Sequence, residues 1–94
     1  MGRNMQAPYD IEIGEKLHKK IKKLENRDSQ YYSSIINKIT QIAETPHLGK
    51  PLRGILKGKR RVHIGPFVLI YEIKENEHVV TFIELAHHDD AYKY

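Results

Sequence analysis

The chain has 94 residues, enough for one domain with one modest core. It contains no cysteine, which excludes a disulfide framework and a thiolate metal site and fits a reducing cytoplasm. A charged fraction of 30% and a net charge of +4 fall short of the extremes that imply disorder, and they suit a polyanionic partner.

The opening MGRNMQAP has no apolar h-region, so a signal peptide is not expected. Residues 1–8 read as a disordered or cloning-derived lead-in, and 9–94 as a single domain. No apolar run approaches the roughly 18 residues of a membrane-spanning helix, so no membrane role is expected. Tyr9-Asp-Ile-Glu-Ile13 alternates as a short edge strand, and Gly14 breaks it. Glu15 to Leu24 then carries Leu17, Ile21 and Leu24 as a narrow helical stripe; most of its other positions are lysine, a solvated face. Asp28 or Ser29 suits the N-cap of a second helix over Ser29–Glu44. Its Tyr32, Ile35, Ile36, Ile39, Ile42 and Ala43 follow the i, i+3, i+4 pattern of a core-facing side, and Pro46 ends it.

His47 to Gly58 reads as a loop punctuated by Gly49, Pro51, Gly54 and Gly58. Leu48, Leu52, Ile55 and Leu56 are expected to pin it to the core. Lys50, Arg53, Lys57, Lys59, Arg60 and Arg61 crowd this loop and the strand after it, and are candidate phosphate contacts.

RRVHIGPFVLIY, Arg60–Tyr71, reads as one β-hairpin within strands Lys59–Ile64 and Phe67–Lys74. Gly65-Pro66 suits a two-residue type II′ turn. That turn pairs Ile64 with Phe67, His63 with Val68 and Val62 with Leu69, and directly paired residues share a face. Val62, Ile64, Phe67 and Leu69 then point to the core, while Arg61 and His63 point away from it. A turn at Glu75–Glu77 leads to a strand over His78–Ala86 and a polar tail, HHDDAYKY, read as a short helical turn. The expected fold class is α+β: an N-terminal strand, a two-helix hairpin, then a three-strand antiparallel meander, with the helices on one sheet face and the other face free. His87, His88, Asp89 and Asp90 include metal-ligating types, but adjacent strand residues point to opposite faces, so no metal and no cofactor is expected.

Arginine, lysine, histidine and tyrosine on an open sheet are the residue types that metal-free RNA cleavage uses. The 2′-OH must lose a proton, the phosphorane charge must be stabilised, and the 5′-oxygen must gain a proton as it leaves. A positioned base and acid each contribute roughly 10²–10⁴-fold. Cations aimed at the developing charge often supply the largest share.

The segments YDIEI, ETPHLGKPLRGILKG, RRVHIG, FVLIY and VVTFIELAHHDDAY together resemble the RelE/ParE superfamily of toxins, and the run from GKPLRG to Tyr94 is most similar to the RelE branch, its archaeal members included. The resemblance implies a cytoplasmic toxin of a type II toxin–antitoxin system that cuts mRNA in the ribosomal A site. It also implies a cognate RelB-like antitoxin, with a toxin–antitoxin heterotetramer among the assemblies. Carried over by position, Arg61 and His63 match the two basic positions of the family's second strand, and Tyr92 matches its C-terminal tyrosine. His87 and His88 fall where the family often has His-Arg or Lys-Arg. Val68 departs from the pattern, standing where the family usually has arginine, and Asp89 and Asp90 stand where it is often basic. The expectation is that Arg60 or Arg61 holds phosphate and that His63, His87 or His88 moves protons; the catalytic set taken forward is Arg61, His63, His88 and Tyr92, with Lys50, Arg53, Lys57, Lys59, Arg60 and His87 as RNA contacts.

The departures keep other readings open. ParE-like relatives share the fold and inhibit DNA gyrase without nuclease chemistry, and a toxin whose nuclease has decayed would retain antitoxin binding.

Overall fold

The computed structural model describes residues 8–88. Strand β1, Asp10–Ile13, leads into helix α1, Glu15–Arg27, and helix α2, Ser29–Glu44. Strands β2, Lys50–Pro51, β3, Lys59–Ile64, β4, Phe67–Lys74, and β5, Val79–His87, follow. They form one five-stranded sheet in the order β1-β5-β4-β3-β2. β1 lies parallel to β5, and the other pairings are antiparallel.

α1 runs one turn beyond the expected Leu24, to Arg27. Asp28 then separates the helices: its N–H closes α1 on the Leu24 carbonyl at 2.9 Å, and its side chain accepts from the Tyr31 N–H at 3.0 Å to cap α2. The apolar stripes face the sheet. Leu17 and Ile21 of α1 and Ile35, Ile39 and Ile42 of α2 are buried with Ile64, Leu69, Tyr71, Val80, Phe82 and Leu85. Both helices therefore cover one sheet face, as the helical periodicity implies.

The β3–β4 hairpin has the expected register, with Ile64 opposite Phe67, His63 opposite Val68 and Val62 opposite Leu69. Gly65 supplies the turn with φ 59°, the positive value that the first central position of a type II′ turn requires.

Three expectations are corrected. The loop after α2 contributes a fifth strand: Lys50 pairs with Arg61 and Pro51 with Arg60. A two-residue strand interrupted by proline has no alternation to read. Leu48 and Ile55 do not pin this loop; they are 44% and 77% exposed. A polar clamp does so instead. The buried Tyr71 hydroxyl donates to the Pro46 carbonyl at 2.7 Å and accepts from the Gly49 N–H at 2.8 Å. Arg60 Nη1 adds a bond to the Gly49 carbonyl at 2.6 Å. Finally, the sheet face away from the helices is not wholly free, because Val68, Ile70 and Ala86 are buried there with Leu52 packed on them.

The final strand begins at Val79, after His78 takes a left-handed conformation, and runs to His87. The tail from Asp89, including Tyr92 and the expected helical turn, lies outside the described residues, as does residue 1–7 of the lead-in.

Tyr71→Phe leaves two buried backbone groups without their partner. A loss of about 1–3 kcal/mol in urea unfolding is expected. A Cβ at Gly49 would meet the Tyr71 hydroxyl and lie 2.8 Å from the Arg61 carbonyl, so Gly49→Ala should destabilise as well. Unchanged unfolding midpoints in both variants would show that this clamp does not hold the loop.

Candidate functional site on the open sheet face

Sheet register sorts the charged side chains on the face away from the helices into rows. One row runs Lys50, Arg61, Ile70, Glu84; the next runs His63, Val68, Ala86. A third runs Lys59, Glu72, Thr81, Glu12. The third row neutralises itself. Lys59 pairs with Glu72 at 3.8 Å, Lys74 with Glu12 at 3.0 Å, and the Thr81 hydroxyl donates to the same Glu12 carboxylate at 2.7 Å. Past the row of Lys50, Arg61 and Glu84, which keeps one positive side chain in excess, the face ends at the row of His63.

His63 and His88 meet at that end. Their ring centroids are 5.3 Å apart, although β3 and the end of β5 are separated by β4. Two contacts bring His88 there. Its N–H donates to the Pro66 carbonyl at 2.9 Å, extending the ladder past the hairpin turn. Behind it, Lys20 of α1 donates to the Leu85 carbonyl at 2.7 Å. β1 ends opposite Phe82, so α1 supplies the partner that a neighbouring strand would have given. A register shift between Ile70 and Tyr71 against β5 lies beside this contact. Nothing local in the sequence distinguishes Lys20 from the other lysines of α1, and Glu84 was equally inconspicuous until the register placed it in the Arg61 row.

The remaining candidates separate. Arg60 pairs with Tyr71 on the helix side of the sheet, and its Nη1 reaches the Gly49 and His47 carbonyls. His87 also turns to the helix side, where its ring meets Phe67 edge-on at 5.7 Å. Neither shares the face of Arg61 and His63. Arg53 and Lys57 stand exposed on the β2–β3 loop. Val68 shows no exposed surface, so the position where the resemblance expects arginine is filled by packing. Among the described residues no group of three or more His, Asp or Glu is arranged to hold a metal ion.

The His63 pKa is held below the ordinary histidine value. Loss of water at the sheet surface is the main cause, followed by the positive charges of Arg61 and His88. A neutral imidazole beside a guanidinium can accept a proton from a group that the cation helps to bind. A second imidazole stands close enough for one phosphodiester to span the pair. This arrangement brings together the group types that anion binding and proton transfer require.

Residues 11–92 match the family described as ParE toxin of type II toxin-antitoxin system, parDE. A Methanocaldococcus jannaschii protein carrying the toxin name RelE4 is 41% identical over 86 residues, which span 90% of this chain and 92% of that protein. Among solved structures, the Mycobacterium tuberculosis toxin–antitoxin complex RelBE2 contains a chain with the same fold at a TM-score of 0.74. Its identity is 22%, with 86% of this chain and 99% of that chain covered. The archaeal RelE–RelB complex of Pyrococcus horikoshii gives a TM-score of 0.68 at 15% identity, covering 90% and 100%.

In NMR titration, the His63 ring should change protonation below about pH 6.5. Arg61→Gln and His88→Ala should each move that titration upward. Because folding lowers this pKa, the folded state holds fewer protons than the unfolded chain between the two values. Stability therefore falls as pH drops through that window. A His63 titration at or above the free-histidine value would contradict this electrostatic picture.

Proposed function

The chain belongs to the RelE/ParE family of type II toxin–antitoxin toxins, and from that membership we propose that it is an mRNA interferase, a metal-independent endoribonuclease acting on ribosome-bound mRNA in the A site. The observation that carries this reading is the His63–His88 pair beside Arg61 on the open sheet face.

The chemistry divides among these groups. Arg61 and Lys50 neutralise the non-bridging oxygens of the scissile phosphate and stabilise the charge that develops on them. Neutral His63 takes the proton from the 2′-OH, whose oxygen then attacks the adjacent phosphorus. The bond to the 5′-oxygen breaks, and His88 supplies that oxygen with a proton. The products are a 2′,3′-cyclic phosphate and a 5′-hydroxyl, and both histidines exchange protons with water before the next turnover. A depressed His63 pKa keeps the base deprotonated at neutral pH, where general-base catalysis needs it. DNA lacks the 2′-OH and is not cut. Tyr92 joins the set through its match to the family's C-terminal tyrosine.

Control comes from a RelB-like antitoxin, by analogy with the two toxin–antitoxin complexes that share the fold. A cytoplasmic site of action follows from a ribosomal target.

Two observations favour a second reading, gyrase inhibition without nuclease chemistry. The matched family carries the ParE name, and buried Val68 brings no cation to the site.

Purified ribosomes programmed with a defined mRNA separate the two. The wild-type chain should cut the A-site codon. Arg61→Ala, His63→Ala and His88→Ala should each slow cutting by roughly 10²–10⁴-fold, with Tyr92→Phe also impaired. Full cleavage by all four variants would sink the assignment of these residues. No cleavage by the wild-type chain, together with gyrase-linked DNA breaks in growing cells, would establish the second reading.

A further inference from the structure

His87 and His88 sit where β5 has left behind much of what holds the rest of the sheet. β1 ends opposite Phe82, so among the described residues no strand flanks β5 on that side from Ile83 onward. The core also thins toward this end. Leu24, Tyr31 and Phe67 are half-buried there, and with Leu85 they line a groove open to solvent on the helix side. The end of β5 therefore depends on discrete contacts. Two are directed at the backbone, the Pro66 carbonyl on the His88 N–H and Lys20 on the Leu85 carbonyl.

Three rings supply others. His87 lies opposite Phe67 in the sheet, and their rings meet edge-on at 5.7 Å. The Phe67 ring in turn meets that of Tyr31 on α2 at 5.4 Å. The Tyr31 hydroxyl donates to the Ile64 carbonyl at 3.1 Å. Ring contacts of this kind prefer particular orientations, so they direct as well as attract. The chain of contacts runs from His87 to Ile64, and each of those residues is the immediate neighbour of one member of the His63–His88 pair. Successive strand side chains point to opposite faces. A backbone that turns at His87 therefore moves His88 on the far side, and one that turns at Ile64 moves His63. The ring stack on the helix face and the imidazole pair on the open face are two sides of the same two strand ends.

We propose that His87 and Tyr31 are positioning residues, whose stack with Phe67 on the helix face sets the distance between His63 and His88 on the open face. The proposal rests on the reading of that pair as the cleavage centre and gives the pair its support. His87 then acts through its ring and not through a proton or a phosphate, because a phosphate held by Arg61 lies on the opposite face of the sheet from it. The spacing matters to the chemistry. Both imidazoles must be within hydrogen-bond reach of one phosphodiester at the same time, and a misplacement of about 1 Å can cost roughly 100-fold in rate.

The test uses the full chain and two readouts. On programmed ribosomes, His87→Ala should lower kcat by roughly 10–100-fold while KM stays near wild type. The second readout needs no cleavage. Loss of water, then Arg61, then His88 hold the His63 pKa down, so a His88 that has moved away should let the His63 titration rise in NMR. His87→Phe keeps a ring against Phe67 and removes the imidazole, and it should restore both readouts, which a general folding defect would not allow. Tyr31→Phe removes the bond to the Ile64 carbonyl and keeps the ring, and it should lower kcat less than His87→Ala does. Wild-type kcat and a wild-type His63 titration in His87→Ala would overturn the proposal. So would a His87→Phe variant as impaired as His87→Ala, since the imidazole itself would then be what acts. A chain that cleaves nothing, but whose His63 titration rises in His87→Ala and returns in His87→Phe, would refute the nuclease reading and leave the positioning role standing. Cleavage lost in His63→Ala and kept in His87→Ala would do the reverse.

Discussion

The turn at Gly65-Pro66 sets the register on which the rest of the site depends. Gly65 supplies the positive φ, and proline at the next position fixes its own φ on the negative side. The two-residue loop leaves Ile64 opposite Phe67 and His63 opposite Val68. Side chains alternate along a strand with a period of two. A slip of one residue would therefore drive Arg61 and His63 into the core and expose Val62 and Ile64. The helix face resists that slip. Ile64, Leu69 and Tyr71 are buried there against α1 and α2, and the Tyr31 hydroxyl donates to the Ile64 carbonyl at 3.1 Å. One turn and one apolar face thus separate a packed side of the sheet from a charged side.

Two devices organise that charged side. Glu12 and Glu72 meet Lys74 and Lys59 at one end and cancel them locally. The Tyr71 clamp draws the α2–β3 connection against the other end, placing Lys50 beside Arg61. Burial raises the Tyr71 pKa, which keeps its hydroxyl protonated and able to donate. The basic end of the face therefore owes its position to a residue that never reaches it. His88 arrives at the same end through backbone contacts, the Pro66 carbonyl ahead of it and Lys20 on Leu85 behind it.

Much of this was legible in the chain because it is local. The α2 boundaries, the hairpin register and the shared face of Arg61, His63 and Val68 follow from periodicity and one glycine turn. The α+β class follows from the order of elements. The features that escaped are long-range. No local pattern predicts that Arg60 rather than Leu48 or Ile55 holds the loop, or that a Lys-Pro pair forms a fifth strand. His87 and His88 are adjacent and of one type, so only the sheet register assigns one to Phe67 and the other to His63. The resemblance to RelE-like toxins named Arg61, His63 and His88 together. The structure adds their grouping and separates Arg60 and His87 from them. Val68 shows why family pattern and physical reading must be held side by side: the position is buried, and the histidine pair occupies the surface that an arginine would have shared.

The central claim is that this surface cuts RNA by internal 2′-oxygen attack, with protons moved between two imidazoles. Its most direct test is the chemistry of the cut ends. Ribosome-bound mRNA treated with the protein in the presence of EDTA should yield a 2′,3′-cyclic phosphate on the upstream fragment and a 5′-hydroxyl on the downstream one, at the A-site codon. Fragments ending in a 3′-hydroxyl and a 5′-phosphate, or mRNA left intact by a folded protein, would contradict the account.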